Sequence, residues 1–207
     1  MENNELSEIE VRVLGSLVEK ETATPEYYPL SLHAVTVACN QKSNREPVMA
    51  LEEDAVHAGL ESLRAKGLSL HISGGDHRVS KYAHRLGEVF NFDRREQMLL
   101  CVLMLRGPQT IGELRGRTER LYNFDSLADV ESALGRLAER VPPLVKKLPR
   151  RPGEKEPRYA HLLSGDVVSA EPVTPPQPAP LEARVAQLES EIADLKRQFD
   201  DFRKSFE

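Results

Sequence analysis

Two groups of side chains in this sequence could do chemistry, and both would do it by binding rather than by making or breaking bonds. The first is a set of cations: Arg115, Arg117 and Arg120 in one run, then Lys146, Lys147, Arg150, Arg151, Lys155 and Arg158 in another. Guanidinium and ammonium groups gathered in this way neutralise phosphates along a nucleic-acid backbone, and roughly six such contacts make affinity fall steeply with salt. The second group is the string from Asn40 to Glu46. Here Asn40, Gln41, Lys42, Asn44, Arg45 and Glu46 either read base edges, as amides and arginine do, or present a surface to another protein. Each group also has a plainer reading. The cations fit a solvated hairpin that Glu154 and Glu156 partly neutralise, and the amide string fits a capped turn in which Arg45 bonds Glu46 or Asp54.

Catalysis is poorly served. His71, His77 and His84 lack any Cys or carboxylate at the spacing of a zinc site. Gly74-Gly75 reads as a hairpin turn, not as a phosphate loop after a strand, and no Ser or Cys stands in a nucleophile motif. The expectation is a protein that is not an enzyme, with no cofactor and no metal.

The elements that must position these groups follow from an internal echo. Arg78-Val79-Ser80-Lys81-Tyr82-Ala83-His84 returns in shortened form as Pro157-Arg158-Tyr159-Ala160-His161, marking the end of a unit that occurs twice. In the first unit Leu6, Ile9, Val13, Leu14, Leu17 and Val18 define one face of a helix, with Glu8, Glu10, Arg12 and Glu19 on the other. Ser7 and Glu10 make a capping box at its start, and Thr24-Pro25 and Pro29 stop it. Ser31 caps a second helix that carries Leu32, Val35, Val37 and Cys39. A third helix runs from about Glu52 to Lys66, with Gly67 as its stop. Alternating Leu68, Leu70 and Ile72, a Gly-rich turn and Arg78 to His84 complete a β-hairpin. The second unit repeats this order, with Thr110 capping Ile111 to Thr118, Ser126 opening the third helix, and a hairpin of Leu144 to Leu148 and Arg158 to Leu163.

Three helices closed by a hairpin is the order of a winged helix, a variant of helix-turn-helix. The predicted fold class is thus mainly α with small β-hairpins (α+β), arranged as two tandem winged-helix domains at 1–85 and 86–165. Residues 166–180 hold Pro172, Pro175, Pro176, Pro178 and Pro180 and read as an extended, semi-rigid linker. In residues 181–207 the apolar side chains Leu181, Val185, Leu188, Ile192, Leu195, Phe199, Phe202 and Phe206 keep a heptad spacing without error. β-branched or aromatic a positions and mostly Leu d positions predict a coiled-coil helix, with a homodimer as the expected product. The same stripe could instead dock on a partner.

Charge separates these parts. The net −5 divides into −4 for residues 1–85, +3 for 86–165 and −4 for the remainder, so a polyanion should meet the second unit first. The usual reading surface is unsuited to DNA, because the third helices expose Glu52, Glu53, Asp54 and Glu61 in one unit and Asp129, Glu131 and Glu139 in the other. Cys39 and Cys101 sit in apolar helical patterns and suit reduced core thiols. No signal-peptide pattern and no membrane span is legible, which makes the cytoplasm the expected location and excludes a membrane partner.

Thr24-Pro25-Glu26, Tyr28-Pro29-Leu30-Ser31, Ala38 to Val48, Arg106-Gly107 with Thr110, Gly112-Glu113-Leu114-Arg115 and Arg158-Tyr159-Ala160-His161-Leu162 together resemble the YceH-like family of uncharacterised bacterial proteins. The likeness covers about residues 6 to 165 and implies tandem winged-helix domains without implying an activity. The expectation is a DNA-associated regulatory protein that grips duplex DNA with its second wing. The alternative is a winged-helix module that holds another protein and binds no DNA directly.

Overall fold

The computed structural model describes residues 5–74, 77–150 and 153–166, together with residues 189, 192–193 and 196–197. Within these residues the protein is a mixed α/β structure of seven helices and small antiparallel sheets. The helices begin where side chains satisfy orphan amides. α1 (Glu8–Ala23) opens on the Ser7–Glu10 capping box, and α2 (Leu32–Cys39) on Ser31. α3 (Glu53–Ala65) follows Glu52, which makes no side-chain cap. α4 (Leu86–Phe90) is a short turn after the hairpin, and α5 (Arg94–Arg106) opens on a capping box of Asp93 and Glu96. α6 (Ile111–Thr118) and α7 (Leu127–Ala138) open on the boxes Thr110–Glu113 and Ser126–Asp129. Ser7 and Asp93 lie 86 residues apart, Ser31 and Thr110 lie 79 apart, and Glu52 and Ser126 lie 74 apart. The same order of elements thus occurs twice, with a longer path before the third helix in the first half.

The sheets repeat as well. β1 (Leu30–Ser31), β2 (Ser69–Gly74) and β3 (His77–His84) form an antiparallel sheet in the order β1-β3-β2, with Leu30 opposite Tyr82. In the second half β4 (Val145–Lys147) pairs with β5 (Tyr159–His161), and Gln109 bridges Tyr159 where the first half has Leu30 against Tyr82. The expected second hairpin is shorter in strand content, although Leu148 N–H to Arg158 O and Leu162 N–H to Leu144 O continue it at both ends.

One apolar cluster runs through both halves, from Val13, Leu14 and Leu17 to Leu99, Leu103, Leu134 and Tyr159. Its seam is the packing of α1 on α5. The Cys101 thiol lies 3.5 Å from the Gly15 carbonyl, and a methyl group added at Gly15 would meet Leu105 at 3.0 Å and Met104 at 3.1 Å. Most of the expected polar face of α1 does not reach solvent: Glu8 stays exposed, but Glu10, Arg12 and Glu19 are buried, where Glu10 meets Lys66, Arg12 the carbonyls of Cys39 and Pro47, and Glu19 the Arg45 guanidinium. Val37, expected inside α2, is by contrast 53% exposed. Leu6 N–H donates to Leu163 O at 2.7 Å, joining the start of the chain to the end of the second hairpin.

The residues up to Val168 form one compact unit and those from Ser169 another. In the second unit the described residues are helical, and Ile192 is 52% exposed. Leu181, Val185, Leu188, Leu195, Phe199, Phe202 and Phe206, and the linker prolines, lie outside the described residues. No helix among the described residues is long and apolar enough to cross a membrane.

Candidate nucleic-acid interface

The string from Asn40 to Glu46 follows α2 and is held from beneath by two buried arginines. Arg12 donates to the carbonyls of Cys39 at 3.1 Å and Pro47 at 2.6 Å. Arg45 donates to Ala38 O at 2.9 Å and to Glu19 at 2.5 Å, and the side chains of that ion pair are 0% and 2% exposed. Arg45 therefore leaves the proposed reading surface. Its partner is a carboxylate on α1 and not Glu46 or Asp54. Asn40 clasps Leu51 by two bonds of 2.8 Å, Nδ2–H to the carbonyl and the Leu51 N–H to Oδ1. Glu46 N–H donates to Leu105 O, and Arg106 donates to the Asn44 side chain. The segment is thus a strap that ties the first half to α5. Gln41 is half-buried, and only Lys42 and Glu46 present wholly exposed side chains among the six.

The cations of the second half divide in two. Glu113 holds Arg158 at 2.8 Å and Arg117 at 3.5 Å, and Arg158 also meets Glu154 at 3.1 Å. Arg120 pairs with Glu19. Arg115 turns back to the carbonyls of Phe124 and Asp125 at 3.2 Å each. Lys146 meets Asp166 at 2.7 Å in an exposed pair of the kind that contributes about 0–1 kcal/mol and opens readily. At the tip the picture changes. Lys147, Arg150 and Lys155, with Leu148, Pro149 and Pro157, surround a recess of about 500 Å³, with no carboxylate lining it among the described residues. Lys147 also lies 5.8 Å from the Tyr159 ring, and Arg151 falls outside the described residues. The sequence therefore overcounts the cations free to meet phosphate, because carboxylates far away in the chain hold several of them.

His71 stacks on Tyr82 at 5.1 Å, and His84 pairs with Glu21 at 2.9 Å. The third helices keep the carboxylates expected of them, but Arg136 of α7 is drawn away to Asp93 and Glu96. Three residues to which the sequence assigns no role shape this face: Arg106 at the end of α5, Gln109 in the bridge to Tyr159, and Glu113. Arg106 reaches Asn44 of the other half, and Gln109 and Glu113 reach Tyr159 and Arg158 at the far end of their own, contacts for which local pattern carries no signal.

A family described as "Protein of unknown function, DUF480" matches residues 6–154. The chain belongs to this family. Related proteins share the name UPF0502. One from Solibacter usitatus is 58% identical over 171 residues, covering 83% of this chain and 82% of its own length. One from Geobacter sulfurreducens is 54% identical over 179 residues, covering 86% and 81%. One from Citrifermentans bemidjiense is 60% identical over 157 residues, covering 76% and 73%. The matched part of the DUF480 family contains the Asn40–Glu46 strap, α6 and the tip cations up to Arg150, and ends before Lys155 and the heptad region.

Proposed function

We propose that the chain is a non-catalytic, DNA-associated regulatory protein built of two winged-helix units, gripping the phosphate backbone with the tip of its second wing. The strand order β1-β3-β2 after three helices, and the matching Gln109–Tyr159 bridge, support the winged-helix reading. The observation that carries the functional reading is the tip recess, which three cations line with no carboxylate beside them among the described lining residues. Binding there is to backbone and not to base edges, because α3 and α7 turn carboxylates outward where such helices enter the groove. The heptad helix would pair two subunits and double the grip.

The test is fluorescence anisotropy of the full-length protein on random duplex DNA across a salt series. Three to four phosphate contacts give a slope of log affinity against log salt of about −3. The triple substitution Lys147→Ala, Arg150→Ala, Lys155→Ala should bring that slope close to zero, and an unchanged slope would overturn the reading. A second reading, a protein-binding module, draws on Tyr27, Val37 and Val48, large apolar side chains left exposed on the first half.

A further inference from the structure

Away from the wing tip, a cleft opens where the strap of the first half meets α5 and α6 of the second. One lobe, of about 340 Å³, is walled by Asn44, Arg106, Gly116, Arg117, Glu119 and Arg120. A neighbouring lobe of about 580 Å³ shares Arg106 and Arg117 and adds Arg158 and Glu113 among its walls. The smaller lobe brings three guanidinium groups together against one carboxylate, Glu119.

Arg106 is the unbalanced member. Arg117 leans on Glu113 and Arg120 on Glu19, whereas the side-chain partner of Arg106 is the neutral amide of Asn44. Burial, then the like charges of Arg117 and Arg120, push the Arg106 guanidinium below its ordinary pKa. Three arginines facing one space repel each other, and an anion between them removes that repulsion while accepting their forked donors. Gly116 leaves the floor open, since a methyl group added there would touch nothing within 4 Å. The lobes are of the size of small-ligand sites, and among the described residues no aromatic ring lines either of them to stack a base.

We propose that this cleft binds a small phosphate-bearing metabolite, with Arg106, Arg117 and Arg120 holding the phosphate and the larger lobe taking the organic remainder. The site would be an effector site separate from the wing. Because Asn44 belongs to the strap and the arginines to α5 and the α6 region, an occupant would brace one half of the protein against the other.

Isothermal titration of the full-length protein with pyrophosphate and with glucose 6-phosphate tests this, at fixed ionic strength and with sulfate as the comparison anion. Saturable binding of a phosphate probe, tighter than sulfate, is expected. Arg106→Gln and, independently, Gly116→Asp should each weaken it at least about tenfold, as loss of a charge-assisted contact does. Gly116→Asp places a carboxylate in the open floor with no clash, so its circular dichroism and melting should match the wild type. Three outcomes would overturn the proposal: no saturable binding of either phosphate probe, binding that both variants retain, or variants that lose only affinity for duplex DNA. The last would make the cleft a second backbone contact instead.

Discussion

In the first half the closing strand ends in His84, whose ring is fully engaged: the Leu86 N–H donates to Nδ1 at 3.2 Å and Nε2–H donates to Glu21 at 2.9 Å. The His84 N–H itself donates to the Tyr28 hydroxyl at 2.7 Å. In the second half the echo of that residue, His161, has a buried Nδ1 with no hydrogen-bond partner among the described residues. For His84, Leu86 N–H, at the start of α4, supplies the bond to Nδ1, and the longer path of the first half supplies the other two. Glu21 and Tyr28 come from the end of α1 and the turn that follows it, whereas the second half passes from α5 through Gly107 and Pro108 directly to the Gln109 bridge. The same contrast holds for charge. The first half turns Arg12, Glu19 and Arg45 inward to fasten its strap, and the second leaves Lys147, Arg150 and Lys155 at an outer tip. A repeated scaffold therefore need not repeat its surface, because one inserted segment can convert ionic side chains from contacts with solvent into internal ties.

The sharpest way to break this comparison is to remove one tie. Glu19→Ala strands Arg45 beside an empty place and takes the partner from Arg120, so about 3–5 kcal/mol of stability should be lost in urea unfolding. Lys147→Ala at the tip of the other half should stay within about 0.5 kcal/mol. Equal effects would mean that the two halves do not use their charges differently. Next comes the seam. Gly15→Ala drives a methyl group against Leu105 and Met104 and should cost about 1–3 kcal/mol, read as a lower thermal midpoint.

The histidine pair gives an effect that depends on pH. Burial lowers the His161 pKa from 6.5 to about 4. The unfolded chain therefore binds the proton first, and the stability that neutral His161 contributes is complete above pH 6.5 and is lost as pH falls toward 4. At pH 5 the loss relative to pH 7.5 should be about 2 kcal/mol, and His161→Gln should remove that part of the pH dependence. A variant with the same dependence as the wild type would show that His161 is not what titrates.

How much of this could be read from the sequence follows the range of the forces involved. Ser7, Ser31, Thr110 and Ser126 were legible as caps because each bonds an amide three residues on, and the two hairpins were legible from alternation and turn residues. Asp93 and Glu96 form a box of the same three-residue spacing. Arg12 and Glu19 were read as solvent-facing because helical periodicity reports one apolar stripe and is silent about a second helix laid over the other side. The ionic partners were the least legible. Arg45 finds Glu19, 26 residues back, and Arg158 finds Glu113, 45 residues back, so composition overstates the free positive charge of the second hairpin.

The bond between Leu6 and Leu163 bears on how the protein is made. Leu163 leaves the ribosome roughly ten to thirty seconds after Leu6, at about 5–20 residues per second. Until Arg120 has emerged Glu19 of α1 lacks one of its two cations, and until the residues after β5 are made Leu6 lacks its backbone partner. Translation thus runs from one end to the other, while the beginning of the chain is among the last parts to be finished.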